Sequence, residues 1–511
     1  MPPIVCSRWL RSLAALSVFL VCCTDNPASD DETVPPVTTV AAEVPVGVPL
    51  TVAVPELPAP GVSLGSMATD GRIAWGLVLD GLTSIGADGS PQPALATSWA
   101  AVDDTTWRFQ LRAGVSFQDG TTLDGETVAA SLRVALDSLR QGPDPLARVA
   151  RAINEVSALE GAVEIATRGP QPLVPALLAS AYIVAPSSLK GVGSADEAPL
   201  GTGPYQVAVW RGRRIQLVRW SGSWRGNPGY DPVVLAVVPS AAARADALLQ
   251  GEAQVALGLP TDPVPSGNGV TTSAVGTGEV LSITFVDGSG PTDSPLVRRA
   301  MNLAVDKDAI SYSLRGDLEA AALWAPEGIV GFDPERIPWG FDPERAVDIL
   351  AQAGYPDGFN FTMEVVEGRV AGDGDVYAAV EGYLELAGIT VDRRVIDLPA
   401  WQARVDNSNW RGGGFSLTWS AGSLADGAVP FALVGCGAPQ PVACHPDTRS
   451  SLRVVRTTSD PETRQEALGT VLDATAEDPP ALFLTEPIDV WGWRRSVDGI
   501  EYRNGELVLG G

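Results

Sequence analysis

The stretch from Trp107 to Leu139, WRFQLRAGVSFQDGTTLDGETVAASLRVALDSL, decides how the rest of the chain is read. Trp107, Phe109 and Leu111 alternate with Arg108, Gln110 and Arg112, the period-two pattern of a strand with one buried face. Ala113-Gly114 marks a turn, Val115 and Phe117 resume the alternation as a second short strand, and Asp119-Gly120 closes that piece. The period then becomes helical. Asp124 is placed to cap a helix whose apolar positions are Val128, Leu132, Leu136 and Leu139, with Glu126 near the positive end of the helix dipole. A strand-strand-helix unit occurs in many α/β domains, so the pattern sets a fold class and not a function.

Working outward, 511 residues exceed one ordinary core, and two or three domains are expected. Acidic residues outnumber basic ones by 61 to 35, a net charge of −26, which argues against nucleic acid as a partner. Arg8 and Arg11 precede an apolar run from Leu13 to Val21 that is too short to span a bilayer and suits the core of an export signal. Leu20-Val21-Cys22-Cys23 looks like a bacterial lipobox with Cys23 as the lipidated residue; Cys22 before it is atypical, and an ordinary secretory signal cleaved nearby is the alternative. Residues 24–46, rich in Thr, Pro, Val and acids without periodicity, read as a disordered tether. At ~3.3 Å per residue its reach is at most about 80 Å.

Further motifs lie along the body. Asp80-Gly81-Leu82, Gly89, Pro93-Ala94-Leu95-Ala96 and Ser98-Trp99 precede the opening stretch. PLGTGPY places Gly201, Gly203 and Pro204 in a tight turn before a hairpin of Tyr205, Val207 and Val209 against Ile215, Leu217 and Arg219. SPLVRRAMNLAVDKDAI reads as one helix from Ser294 to Ile310, and FDPERAVDILAQAGYPDGF runs from Phe341 to Phe359. Together these strings resemble the family 5 extracellular solute-binding proteins, the peptide- and nickel-binding receptors of ATP-binding cassette importers. The resemblance covers nearly all of Leu50 to Gly511, with Gln254 where the family has Asp and Lys307 where it has Arg.

The resemblance implies an α/β, type II periplasmic-binding-protein fold, two lobes with a hinge plus an inserted smaller domain. The expected pieces are a lipoprotein signal peptide (1–23), the tether (24–46), lobe 1 in three parts (47–90, 199–290 and 486–511), the inserted domain (91–198) and lobe 2 (291–485). It also implies a small solute, a peptide among the candidates, delivered to a membrane permease by a monomeric receptor held to the outer face of the membrane by lipid. No cofactor and no metal are expected.

Catalysis has little support in the residues. His445 is the single histidine, and neither a G-x-S-x-G elbow nor a phosphate loop ending in Lys-Ser or Lys-Thr is present. Cys436 and Cys444 enclose CGAPQPVAC, and in an exported protein two such thiols favour a disulfide. A metal site of Cys436, Cys444 and His445 is the alternative, short of a fourth ligand. In peptide-binding relatives the string at Trp419 is Trp-x-x-Asp, whose Asp pairs with the ligand's amino terminus; here Gly422 stands at that place, and Asp426 lies farther along. Trp401 and Trp419 correspond to cleft aromatics of those relatives, and Arg404, on the helix of Trp401, is a candidate for an anionic group of the ligand. A transport-inactive lipoprotein serving as a sensory or interaction module on the same fold is the rival reading.

Overall fold

The computed structural model describes residues 47–58, 69–142, 145–189, 198–261, 263–286, 288, 290–315, 321, 324–336, 339–370, 372–407, 409–436, 444, 448–503 and 505–510. The export signal, the lipobox with Cys23, the tether and His445 lie outside them.

Three sheets organise the chain. In the first, seven strands run in the order Val270–Gly276, Ile488–Arg494, Val255–Leu259, Val48–Val54, Tyr230–Val237, Arg214–Arg219 and Tyr205–Arg211. The second has five, in the order Ile389–Val395, Phe359–Val365, Gly414–Ser420, Glu279–Phe285 and Ala481–Thr485. The third is a four-stranded antiparallel sheet of Ala96–Asp103, Thr106–Leu111, Ala162–Thr167 and Ile153–Leu159. Both larger sheets are covered on both faces, so their strands feed two cores by alternation. In Ala481–Thr485, Ala481 and Phe483 enter one core of the second sheet while Leu482 and Leu484 enter the other.

Two strands leave the seven-stranded sheet and continue into the five-stranded one. Val270–Gly276 runs on into Glu279–Phe285, and Ala481–Thr485 returns into Ile488–Arg494. The crossovers are laced together: Thr277 donates its N–H to the Pro487 carbonyl, and Gly278 donates to Glu486 Oε1, both at 2.9 Å. This paired crossing is the hinge of a type II periplasmic-binding-protein fold.

The strings that mark the chain from its sequence meet in space. Asp80, 5% exposed, accepts from Thr202 Oγ1 at 2.6 Å and Trp224 Nε1 at 2.9 Å and pairs with Arg225 at 2.7 Å. One buried carboxylate thus ties the Asp80-Gly81-Leu82 segment to the turn at Gly203 and the loop beyond it, as a buried charge requires. Gln254 is structural too: its Oε1 accepts the Thr51 N–H at 2.8 Å, holding the first strand.

Within the opening stretch, Thr106–Leu111 is a strand and Gly125–Leu139 a helix, capped by Asp124, whose carboxylate accepts the Thr127 N–H at 2.8 Å. The expected second strand at Val115 and Phe117 is not one. Ser116 makes a single bridge to Thr122, and both apolar side chains are buried by a compact turn. The expected helix from Ser294 to Ile310 is likewise two, Pro295–Ala304 and Lys307–Arg315. Val305 turns extended at φ −104°, and Asp306 caps the second helix by accepting the Ala309 N–H at 2.8 Å.

That break buries Lys307, 3% exposed, with Nζ donating to Asn302 Oδ1 at 2.8 Å. Burial holds its ammonium down to about 7, partly opposed by Asp308. The folded pKa lies below the unfolded value, so between about 7 and 10.5 the unfolded chain binds the proton and the folded chain does not. The destabilisation is therefore fully present below pH 7 and fades as pH rises toward 10.5. Lys307→Met is expected to be more stable than the parent at pH 6 by about 1–4 kcal/mol, with the gap closing by pH 10 in urea titrations. A gap independent of pH would contradict the assignment.

Candidate functional site

A cavity of about 630 Å³ lies where the smaller domain meets the second lobe, within the size range of small-solute sites. On one side stand Pro145, Arg148 and Val149, at the start of helix Leu146–Ala152, and the turn from Gln171 to Leu173. On the other are Glu279, the end of strand Gly414–Ser420, the segment from Gly422 to Pro430, and Arg456 and Arg464 from helices Arg449–Thr457 and Pro461–Glu477. Most of the wall is aliphatic, with a few charged groups set into it.

The two sides touch at several points. Arg148 Nη1 donates to the Ala432 carbonyl at 3.0 Å, and Leu424 and Val429 pack into the core of the first lobe and smaller domain. Gly422, in the left-handed region at φ +55°, faces Pro145; a Cβ there would sit 3.3 Å from Pro145 Cδ. A further close approach is at Gly89, on the loop between strands Thr83–Ile85 and Pro91–Pro93. At φ +80° a Cβ would lie 2.5 Å from the Gly328 carbonyl and 2.8 Å from both the Ala425 carbonyl and the Val330 nitrogen. Those three atoms all belong to the second lobe, so Gly89→Ala is expected to wedge the lobes apart without disturbing either core. Small-angle scattering should show a larger radius of gyration, and solute affinity should fall at least about tenfold. An unchanged radius and affinity would show the contact to be dispensable.

The residues singled out in the sequence separate into two groups. Trp419 and Gly422 border the cavity. The Trp419 ring, however, is 1% exposed, donates Nε1 to Thr284 Oγ1 at 3.0 Å and packs against Trp324, Phe431 and Phe483. Trp401, Arg404 and Asp426 are not among its described lining residues. Trp401 donates Nε1 to the Ser416 carbonyl at 2.9 Å and carries the Arg369 guanidinium over its ring at 5.2 Å. Arg404 pairs with buried Glu364 at 2.9 Å. Asp426 takes both Arg464 terminal nitrogens, at 2.6 and 2.8 Å, so its charge is matched within the protein. Cys436 and Cys444 form a disulfide beside this wall.

Sequence reasoning missed Arg148, Glu279, Arg456 and Arg464. Burial and the nearby charge of Arg148 push the Arg456 guanidinium down from its usual value, while Nη1 and Nη2 donate to the Cys436 and Phe431 carbonyls at 3.1 and 2.9 Å. Burial raises the Glu279 carboxyl, opposed by the Ser420 hydroxyl within donating reach and by Arg369. Nothing in the local strings marks these four, because they come from separate segments. Among the described residues no group of three or more His, Cys, Asp or Glu is placed to hold a metal ion, and no helix is long and apolar enough to cross a membrane.

Two lobes joined by paired crossovers, with a chamber at the seam, make a clamshell with room for a small solute. The family described as bacterial extracellular solute-binding proteins, family 5 Middle, matches residues 90–437. Glutathione-binding protein GsiB of Salmonella paratyphi A is 27% identical over 369 residues, 69% of this chain and 70% of that protein. A nickel ABC transporter structure from Bacillus halodurans superposes with a TM-score of 0.79 at 20% identity, over 90% of this chain and 99% of that one. HbpA2 from Haemophilus parasuis gives 0.78 at 16% identity, over 91% and 100%. The chain belongs to the family 5 solute-binding proteins, the receptors of ATP-binding cassette importers.

Proposed function

We propose that the protein is a lipid-anchored receptor that captures a peptide or peptide-like small solute between its lobes and hands it to a membrane permease. The observation that carries this reading is the chamber of about 630 Å³ walled from both sides of the seam, which a solute bridging both sides would stabilise in the closed form by its greater affinity for that form. The GsiB relatives, named for binding glutathione, support a peptide-like class. Gly422 would bound the solute directly, while the buried Trp419 ring, Trp401, Arg404 and Asp426 brace the wall behind it. The lipobox at Cys23 and the tether support a leash that keeps a monomeric receptor near its permease.

Native mass spectrometry of the protein purified from its own host tests the receptor reading. A stoichiometric small molecule is expected, released on denaturation. The anchor is tested separately: detergent phase partitioning should place the full chain in the detergent phase and Cys23→Ala in the aqueous phase. Gly422 favours a second reading, the transport-inactive module. Absence of any carried-over molecule, with no thermal shift across peptides, sugars, opines and nickel chelates, would select it.

A further inference from the structure

The charged groups set into the chamber wall are already engaged by the protein itself. Arg464 gives Nη1 and Nη2 to Asp426 and Nε to the Val455 carbonyl at 3.0 Å. Arg456 gives both terminal nitrogens to the Cys436 and Phe431 carbonyls, and Arg148 reaches the Ala432 carbonyl. Glu279 stands at the hinge end of its strand, opposite Ser420. Its charged neighbours, Arg369 and Asp489, are not among the described lining residues, and burial, the largest influence on its carboxyl, favours the uncharged form. What these groups leave facing the cavity is aliphatic. Val149 and Leu173 stand on the side of the smaller domain, and Leu417, Val429 and Val434 on the other. Leu424 and Val429 also reach across the seam into the core of the first lobe and smaller domain, so closing the lobes itself buries apolar surface.

A charged group entering this space would give up its hydration, and the guanidiniums could turn toward it only by stranding the carbonyls and the carboxylate they now serve. An apolar group would leave water for a wall that asks no hydrogen bond of it. We infer that the chamber receives an uncharged, apolar side group of the solute, branched aliphatic or aromatic, and that the charged ends of the solute lie outside it. This deepens the receptor reading and rests on it. At about 630 Å³ the chamber has room for the bulkiest of these groups. Leu173 and Ala432, half-buried and facing the cavity from opposite sides of the seam, then set its specificity.

The test uses the full chain and trialanine in which leucine, phenylalanine, aspartate or lysine replaces each residue in turn, so that every peptide has the same ends. Retention in competition with trialanine is read by native mass spectrometry, and the carried-over solute is identified by mass. Leucine and phenylalanine are expected to raise retention at least about tenfold at one position, at about fourfold per buried methylene, while aspartate and lysine at that position lower it. Leu173→Ala should cut retention of the leucine and phenylalanine peptides about tenfold more than that of trialanine, and Ala432→Asp should abolish the apolar preference; circular dichroism verifies that both variants are folded. Equal retention of the aspartate or lysine peptides, a carried-over solute with no apolar side group, or an unchanged preference in both folded variants would overturn this assignment and leave the receptor standing. A parent protein retaining no solute of any kind would remove both.

Discussion

Replacing Asp426 by alanine is expected to destabilise the second lobe by roughly 3–5 kcal/mol, with the same loss for Arg464→Ala. The side chains of the pair are 4% and 12% exposed and share two charge-assisted hydrogen bonds, and Asp426 also accepts the Ala428 N–H at 2.9 Å. Removing either partner strands the other's charge beside an apolar wall. Removing both together, as Asp426→Leu with Arg464→Met, should recover much of the loss, because no charge is then left unpaired. Urea unfolding followed by a probe in the second lobe measures this. Single variants as stable as the parent would show that the pair contributes nothing to the fold. The pair also anchors the segment from Gly422 to Pro430, so the single variants should lose the chamber's shape and bind solute weakly even where they remain folded.

Trp419→Ala is the second large effect, a loss of about 3–5 kcal/mol from removing a fully buried aromatic. Its ring fills the space among Trp324, Phe431 and Phe483, and its indole N–H satisfies Thr284 inside the sheet. Truncation opens a void that these rigid neighbours refill poorly, and it leaves a buried hydroxyl without its donor. Hydrogen exchange should quicken throughout strands Glu279–Phe285 and Gly414–Ser420, which Trp419 joins. A variant as stable as the parent, with binding alone lost, would make the ring a contact surface and not a core element.

These two outcomes turn on the difference between a residue's string and its surroundings. Trp419 and Asp426 both stand out in the sequence, one as an aromatic at a cleft position and the other as the nearest acid to Gly422. Their neighbours are remote in the chain: Arg464 is 38 residues from Asp426, and Thr284 is 135 residues from Trp419. Glu279 escaped notice for the same reason. It sits in an ordinary strand, and only the antiparallel register that sets it against Ser420 brings it to the chamber.

Where a feature depends on a few consecutive residues, the chain declared it directly. The cap at Asp124 and the alternation from Trp107 to Leu111 are local choices of backbone geometry, and the structure carries them as read, whereas the Gly203 N–H is held by the remote Val78 carbonyl. The same locality explains the misses in secondary structure. Val115 and Phe117 alternate as a strand would, but their pairing is a tight local one, a single bridge from Ser116 to Thr122 flanked by the Phe117 N–H to Thr121 and Leu123 N–H to Val115 bonds. The run from Ser294 to Ile310 keeps a helical period through a break that Asp306 is able to cap.

The sequence by itself determined the family, the α/β class and local elements such as the strand from Trp107 and the capped helix after Asp124, because hydrophobic period and capping chemistry act over a few residues. The tertiary structure alone decided which charges are spent inside the protein and which face the chamber. A charge is matched by whatever lies within a few ångströms, and in a protein whose lobes are assembled from discontinuous segments that neighbour is set by the crossing of the strands and not by order along the chain.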